Sequence, residues 1–250
     1  LGHAVSRDLL YWEQLPVALR PDELGFIFSG SAVVDGNDTS GFFDGGEGLV
    51  AIYTNAGGKD YTEQEQSIAC SKDRGRTWIK YKNNPIIPSP SITDLRDPKV
   101  FWHGPTSRWL MVLAAGDRVM FYKSLNLKNW TKLSEFGMGE GTHGGVWEYL
   151  ELFELPVGDT GRRRWVLQVG VDPGGFYGGS GAQHFVGDFD GERFVSENPP
   201  ETVLWVDRGK DFYATQNWTN VPAGRRLWIA WMNNWQYAPT RSRLTRGAVL

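Results

Sequence analysis

The feature that most constrains this chain is a short polar turn that recurs along it. Ser6-Arg7-Asp8-Leu9-Leu10-Tyr11-Trp12 and Ser124-Leu125-Asn126-Leu127-Lys128-Asn129-Trp130 share the pattern S-x-(D/N)-L-x-x-W. Ser71-Lys72-Asp73-Arg74-Gly75-Arg76-Thr77-Trp78 is a version one residue longer, and Gly187-Asp188-Phe189-Asp190-Gly191-Glu192-Arg193-Phe194 stands where a fourth copy falls. The Ser and the Asp or Asn of the first three copies, and the Asp of the fourth, can organise a tight turn through bonds to the backbone, and the aromatic residue then re-enters a core. A β-hairpin that returns at intervals of 53 to 65 residues is the mark of a β-propeller, one copy for each four-stranded blade.

The stretches between the turns agree with this. No long amphipathic helical pattern occurs. Short runs of β-branched and aromatic residues are bounded by Gly, Pro, Asn and Asp. They predict strands over 49–54, 66–71, 100–102, 110–114, 119–123, 147–153, 165–171, 183–187 and 227–232. The Gly-rich stretch from Gly170 to Gly181 reads as a connection over a site. The expectation is one domain over residues 1–250, an all-β chain of 250 residues with no apolar run long enough for a membrane helix.

Composition narrows the function classes. With 26 Lys+Arg against 29 Asp+Glu the chain lacks the clustered positive excess expected of a nucleic-acid or anionic-membrane surface. One Cys excludes a disulfide framework within the chain, and four scattered His have no metal-ligand spacing, so neither a metal nor a cofactor is expected. The aromatic load, 14% of residues with 12 Trp, suits sites for sugars, whose apolar C–H faces stack on flat rings while their hydroxyls need polar partners. Trp147, Trp235, Phe28, Tyr213 and Trp218 all lie beside polar residues where strands are expected to end.

Two carboxylates stand out. Asp97, in Arg96-Asp97-Pro98, enters an apolar strand with a constrained backbone and an adjacent cation. It is either a strand-edge turn or a carboxylate held for a ligand. Glu148 lies in Trp147-Glu148-Tyr149-Leu150-Glu151-Leu152-Phe153. Regular alternation puts 148, 150 and 152 on one face, and so places a carboxyl on an inward, apolar side. It is either a general acid or a structural carboxylate paired with an Arg.

In order along nearly the whole chain, these blocks resemble glycoside hydrolase family 32, the β-fructofuranosidases that include invertases, exo-inulinases and levanases. Gly2-His3-Ala4-Val5-Ser6 with Asp8-Leu9 and Trp12 looks like W-G-H-A-x-S-x-D-L-x-x-W. Phe28-Ser29-Gly30-Ser31 looks like F-S-G-S, Arg96-Asp97-Pro98 is R-D-P, and Trp147-Glu148 with Leu152-Phe153 resembles W-E-C-P-D-L-F. Asp211-Phe212-Tyr213-Ala214 and Trp231-Met232-Asn233-Asn234-Trp235 match later blocks. The resemblance implies a five-bladed β-propeller that cleaves terminal fructosyl bonds of fructans or sucrose with retention. It implies Glu148 as acid/base, Asp97 as the carboxylate stabilising an oxocarbenium-like transition state, and Arg96, Phe28, Ser29 and Trp235 as substrate contacts.

Three departures matter. The family's nucleophile is the Asp of W-M-N-D-P-N-G, upstream of G-H-A, and no such block occurs here. Met232-Asn233-Asn234 sits in a later block and carries Asn at the key place, so it does not supply one. Retention needs two carboxylates about 5–5.5 Å apart, so residues 1–250 alone are expected to be inactive, with incomplete first and last blades and without the family's C-terminal β-sandwich. After Glu148 the family's Cys-Pro is Tyr149-Leu150, and its Asp is Glu151. Alternatives are a non-catalytic fructan-binding propeller, or a sialidase-like one because residues 71–78 fit an Asp box. The sequons at Asn37, Asn129 and Asn217 point to an extracellular, glycosylated protein.

Overall fold

A computed structural model describes residues 1–88, 92–218, 221–222 and 225–238. Strands and their connections account for nearly everything described, with two single-turn 3₁₀ segments. The strands are β1 (Ala4–Ser6), β2 (Trp12–Gln14), β3 (Phe26–Asp35), β4 (Gly48–Gly57), β5 (Glu63–Ser71), β6 (Ile79–Lys80), β7 (Leu95–His103), β8 (Arg108–Ala115), β9 (Val119–Ser124), β10 (Thr131–Phe136), β11 (Val146–Pro156), β12 (Arg163–Asp172), β13 (Gly181–Phe189), β14 (Phe194–Ser196), β15 (Leu204–Trp205), β16 (Tyr213–Trp218) and β17 (Leu227–Trp231). They pair as antiparallel sheets in chain order: β1-β2, β3-β4-β5-β6, β7-β8-β9-β10, β11-β12-β13-β14 with β15 also on β13, and β16-β17. Such four-stranded meanders are the unit from which propellers are built.

The recurring turns join the outer strands of these sheets. In the first, Ser6 Oγ accepts from the Leu9 amide (2.8 Å) while Asp8 accepts from the amides of Leu10 (2.9 Å) and Tyr11 (2.8 Å). In the second, Asp73 accepts from the amide (2.9 Å) and hydroxyl (2.6 Å) of Thr77, and Ser71 Oγ accepts from the Gly75 amide (2.8 Å). In the third, Asn126 accepts from Lys128 (3.1 Å) and Asn129 (2.9 Å). Each Trp indole then donates back to the turn: Trp12 to Leu9, Trp78 to Gly75 and Trp130 to Leu127. The fourth copy lacks the Ser, and Asp190 alone takes the amides of Glu192 (2.8 Å) and Arg193 (2.7 Å) before Phe194 turns inward.

The chain divides into two compact units, residues 1–115 with 121–133, and 116–120 with 134–250. In the first, Val33, Val50, Ile52, Ile68, Val100, Met111 and Leu127 form one buried cluster, with the free thiol of Cys70 inside it. Each such aliphatic side chain contributes about 1.5–3 kcal/mol on burial. In the second, Phe136 meets Phe185 and Phe194 edge-on at 5.0 Å, and Trp147, fully buried, lies 5.8 Å from Phe185.

All nine predicted strands occur, eight of them with longer limits; 227–232 ends one residue sooner, at Trp231, and 100–102 lies in the second half of a nine-residue strand. The sequence reading missed β3, because Ser29, Gly30 and Ser31 interrupt its apolar run, and β16, whose Ala214-Thr215-Gln216-Asn217 core is polar. One sequon reading is corrected. Asn37 and Asn129 are exposed, but Asn217 is 7% exposed and its amide donates to Glu151, so no glycan fits there in the folded state. Thr219 of that sequon lies outside the described residues.

Candidate active site

Four strands begin with the same irregularity. Register shifts fall between Ile27 and Gly30 in β3, Arg96 and Lys99 in β7, Glu148 and Glu151 in β11, and Tyr213 and Gln216 in β16. The two residues in each bulge are therefore Phe28-Ser29, Asp97-Pro98, Tyr149-Leu150 and Ala214-Thr215. A bulge breaks alternation and re-aims side chains, which is why bulges gather beside active sites. In three of them a residue other than glycine takes a left-handed backbone: Asp97 (φ 61°), Tyr149 (φ 50°) and Ala214 (φ 51°). Such conformations are costly and need support from their surroundings.

Buried amides supply that support. In the first unit the Asp97 amide donates to Thr54 Oγ1 (3.1 Å), Thr54 donates to Gln66 Oε1 (2.8 Å), and Gln66 Nε2 donates to the Leu95 carbonyl (2.8 Å). In the second, Gln168 Nε2 donates to the Tyr149 carbonyl (3.3 Å) and Thr215 Oγ1 donates to Gln168 Oε1. Thr54, Gln66, Gln168 and Thr215 are all fully buried. Sequence reasoning missed all four. A Gln inside an otherwise buried strand is the signal that could have found Gln66 and Gln168.

The first unit gathers Arg96, Asp97, Phe28 and Ser29. Asp97 is only 5% exposed. Arg96 pairs with Asp94 and donates to Gln64 Oε1 (3.4 Å). Ser31 ties the F-S-G-S segment to the R-D-P segment, donating to the Pro98 carbonyl (2.9 Å) and accepting from the Val100 amide (3.0 Å). Gly30 is required because a Cβ there would stand 2.1 Å from the Ile52 carbonyl oxygen. Phe28 packs on the Tyr61 ring at 5.6 Å.

The second unit holds Glu148 and Trp235. The expectation that Glu148 shares a face with Leu150 and Leu152 is corrected by the bulge. Glu148 pairs with Gly170, Glu151 with Gln168 and Phe153 with Val166, so Glu148, Glu151 and Phe153 share one face. That face meets β16 and β17: the Tyr213 hydroxyl donates to Glu148 Oε2, Asn217 donates to Glu151, and Phe153 packs on Trp228 at 5.6 Å. Burial first, then the Glu148 charge, pushes the Tyr213 phenol far above its ordinary range, so it stays a donor. Glu151, where the family pattern has Asp, is the fully buried structural carboxylate.

Trp235 is 49% exposed and lies 4.8 Å from the Trp231 ring. Its neighbour Asn234 is fully buried and fastens three segments. Its amide donates to the carbonyls of Ser180 (3.0 Å) and Lys210 (2.8 Å), and its oxygen accepts from the amides of Ser180 (3.2 Å) and Gln236 (2.9 Å). The ends of the expected Gly-rich connection belong to β12 and β13, and what remains of it, residues 173–180, is thereby pinned beside Trp235.

The model of the glycosyl hydrolases family 32 N-terminal domain matches residues 2–247. A levanase of Bacillus subtilis (strain 168) is 60% identical over 241 residues, covering 95% of this chain and 35% of the levanase. An extracellular exo-inulinase of Aspergillus awamori is 41% identical over 268 residues, covering 94% of this chain and 50% of that protein. The solved fructofuranosidase from Schwanniomyces occidentalis complexed with fructose superposes with a TM-score of 0.86 at 43% identity, covering 95% of this chain and 46% of that one. This chain spans half or less of the length of each of these relatives.

Proposed function

The chain belongs to glycosyl hydrolase family 32, and from that premise we propose that residues 1–250 form a single catalytic propeller domain. As part of the full-length protein it serves the hydrolysis of terminal β-D-fructofuranosyl bonds in fructans or sucrose with retention of configuration, and residues 1–250 alone do not turn these substrates over. The observation that carries this reading is the placement of Asp97 and Glu148 at bulges that open β7 and β11, within ordered blocks of the family pattern. In this reading Glu148 protonates the leaving oxygen and then activates water. Asp97, held rigidly in its bulge, balances positive charge developing on the fructosyl ring. Arg96, Phe28, Ser29 and Trp235 contact the sugar. The attacking carboxylate is assigned to no residue of 1–250. Extracellular action, with glycans at Asn37 and Asn129, fits polymeric substrates and relatives named as extracellular.

The test is to incubate the full-length protein with levan, inulin and sucrose and measure fructose release. Activity on at least one of them, lost in Glu148→Gln, is expected. Binding of fructan without any release would favour a non-catalytic propeller instead.

A further inference from the structure

One carboxyl near Glu148 has no part in the reading above. Asp172 ends β12, opposite Val146, two residues beyond Gly170, which is itself opposite Glu148. Residues two apart along a strand share a face, so Val146, Glu148, Gly170 and Asp172 lie together. Asp172 is the diagonal neighbour of Glu148, a relation that brings backbones to about 7–8 Å and side chains closer. Gly170 puts no side chain between them. A Cβ there would stand 3.0 Å from the Glu148 carbonyl oxygen and 3.2 Å from the Tyr213 ring. The backbone of Asp172 is held in turn by Gly145, where a Cβ would lie 2.4 Å from the Asp172 carbonyl carbon.

We propose that Asp172 is a positioning residue of the acid–base site, a second carboxylate whose charge acts on Glu148 and sets the pH range in which Glu148 delivers its proton. The inference rests on Glu148 being the acid/base. Burial, and then the Glu148 charge, push the Asp172 carboxyl above its ordinary value, so the two groups sense each other. The titratable groups facing the pair include two tyrosines. Tyr213 comes from β16, and its hydroxyl donates to Glu148 Oε2; Tyr149 comes from β11 itself and packs edge-on to Tyr213 at 5.4 Å. Beyond β12, β13 brings Gly181 and Ala182 opposite Val171 and Gly170, which carry no charge. A second carboxylate on the same face favours the protonated form of an acid.

The experiment compares pH profiles of kcat/KM for the full-length protein and its Asp172→Asn variant on whichever of sucrose, inulin or levan it cleaves. Removing a like charge from the neighbourhood of an acid lets it ionise sooner. The alkaline midpoint should move down by about one pH unit, and Asp172→Glu should restore it. A loss equal at every pH, or an unmoved midpoint, would overturn the proposal while leaving Glu148→Gln inactive and its role intact. An active Glu148→Gln would overturn the reading beneath it, and the proposal with it. A second measurement covers failure of Asp172→Asn to fold. In Glu148→Gln, the infrared titration of the Asp172 carboxyl should shift to lower pH than in the parent protein; an unchanged midpoint contradicts the proposal.

Discussion

The bulge that opens β7 and the bulge that opens β11 are built alike and present their carboxylates differently. In both, one left-handed residue is supported by a buried Gln and a Thr from neighbouring strands. In β7 the left-handed residue is the acid itself, Asp97, with Pro98 after it and its own amide tied to Thr54. Its side chain inherits the rigidity of the backbone. In β11 the left-handed residue is Tyr149, and Glu148 stands just before it on regular strand, touched by the Tyr213 hydroxyl and flanked by Asp172. The same backbone device thus fixes one carboxylate and couples the other to its neighbours. A charge that must stay in place suits the first arrangement, and a group that gives and takes a proton suits the second.

The comparison can be broken at several levels. The largest effects belong to the carboxyls. In the full-length protein Glu148→Gln should lower turnover about 10²–10⁴-fold, and Asp97→Asn about 10²–10³-fold. Asn tolerates the left-handed backbone of position 97, so both proteins should keep native circular dichroism. Next are the amide supports. Gln66→Ala and Gln168→Ala each leave buried polar groups without partners, and should cost about 1–3 kcal/mol in denaturant unfolding. The two glycines should separate fold from site. Gly30→Ala drives a Cβ into backbone that cannot yield and should destabilise by about 1–3 kcal/mol. Gly170→Ala meets the Glu148 carbonyl oxygen at 3.0 Å and the edge of the Tyr213 ring at 3.2 Å, so it should disturb the Tyr213–Glu148 contact, read as a several-fold fall in kcat, with a smaller change in Tm than Gly30→Ala.

The smallest effect lies in the recurring turns. Hydrogen bonds from Thr77, first from its hydroxyl and then from its amide, hold the Asp73 carboxyl down to about 2, against 3.8 when free. A folded value below the unfolded one means that the unfolded chain binds more protons between them. The contribution of Asp73 is therefore complete above about pH 4 and lost as pH falls toward 2. The Tm difference between the parent protein and Asp73→Asn should shrink over that interval; a difference independent of pH would contradict the bonding described.

The turns were the most legible part of the sequence, because their chemistry is local: a Ser, an Asp and a Trp at fixed spacing specify most of their own hydrogen bonds. Ordered motifs single out Asp97 and Glu148 as candidates. Their geometry could not be read there. Alternation assigned Glu148 to the face of Leu150 and Leu152, and only pairing with β12 shows the bulge at Tyr149-Leu150 that moves it to the face of Glu151. β3 was missed for a related reason, since Ser29, Gly30 and Ser31 serve a bulge, a close approach to Ile52 and a link to β7 rather than strand propensity. Asp172 looked like one more loop residue. Its meaning comes from the register that sets it diagonal to Glu148.

The most direct test of the central claim, that the two bulges give their carboxylates different work, is leaving-group dependence. Turnover of the parent protein, Glu148→Gln and Asp97→Asn should be measured on sucrose and on an aryl β-fructofuranoside whose leaving group needs little protonation. Glu148→Gln is predicted to lose far more on sucrose than on the aryl substrate in the fructosyl-transfer step, and Asp97→Asn to lose similarly on both. Equal losses for Glu148→Gln on the two substrates, or none on either, would contradict the assignment of the proton to Glu148.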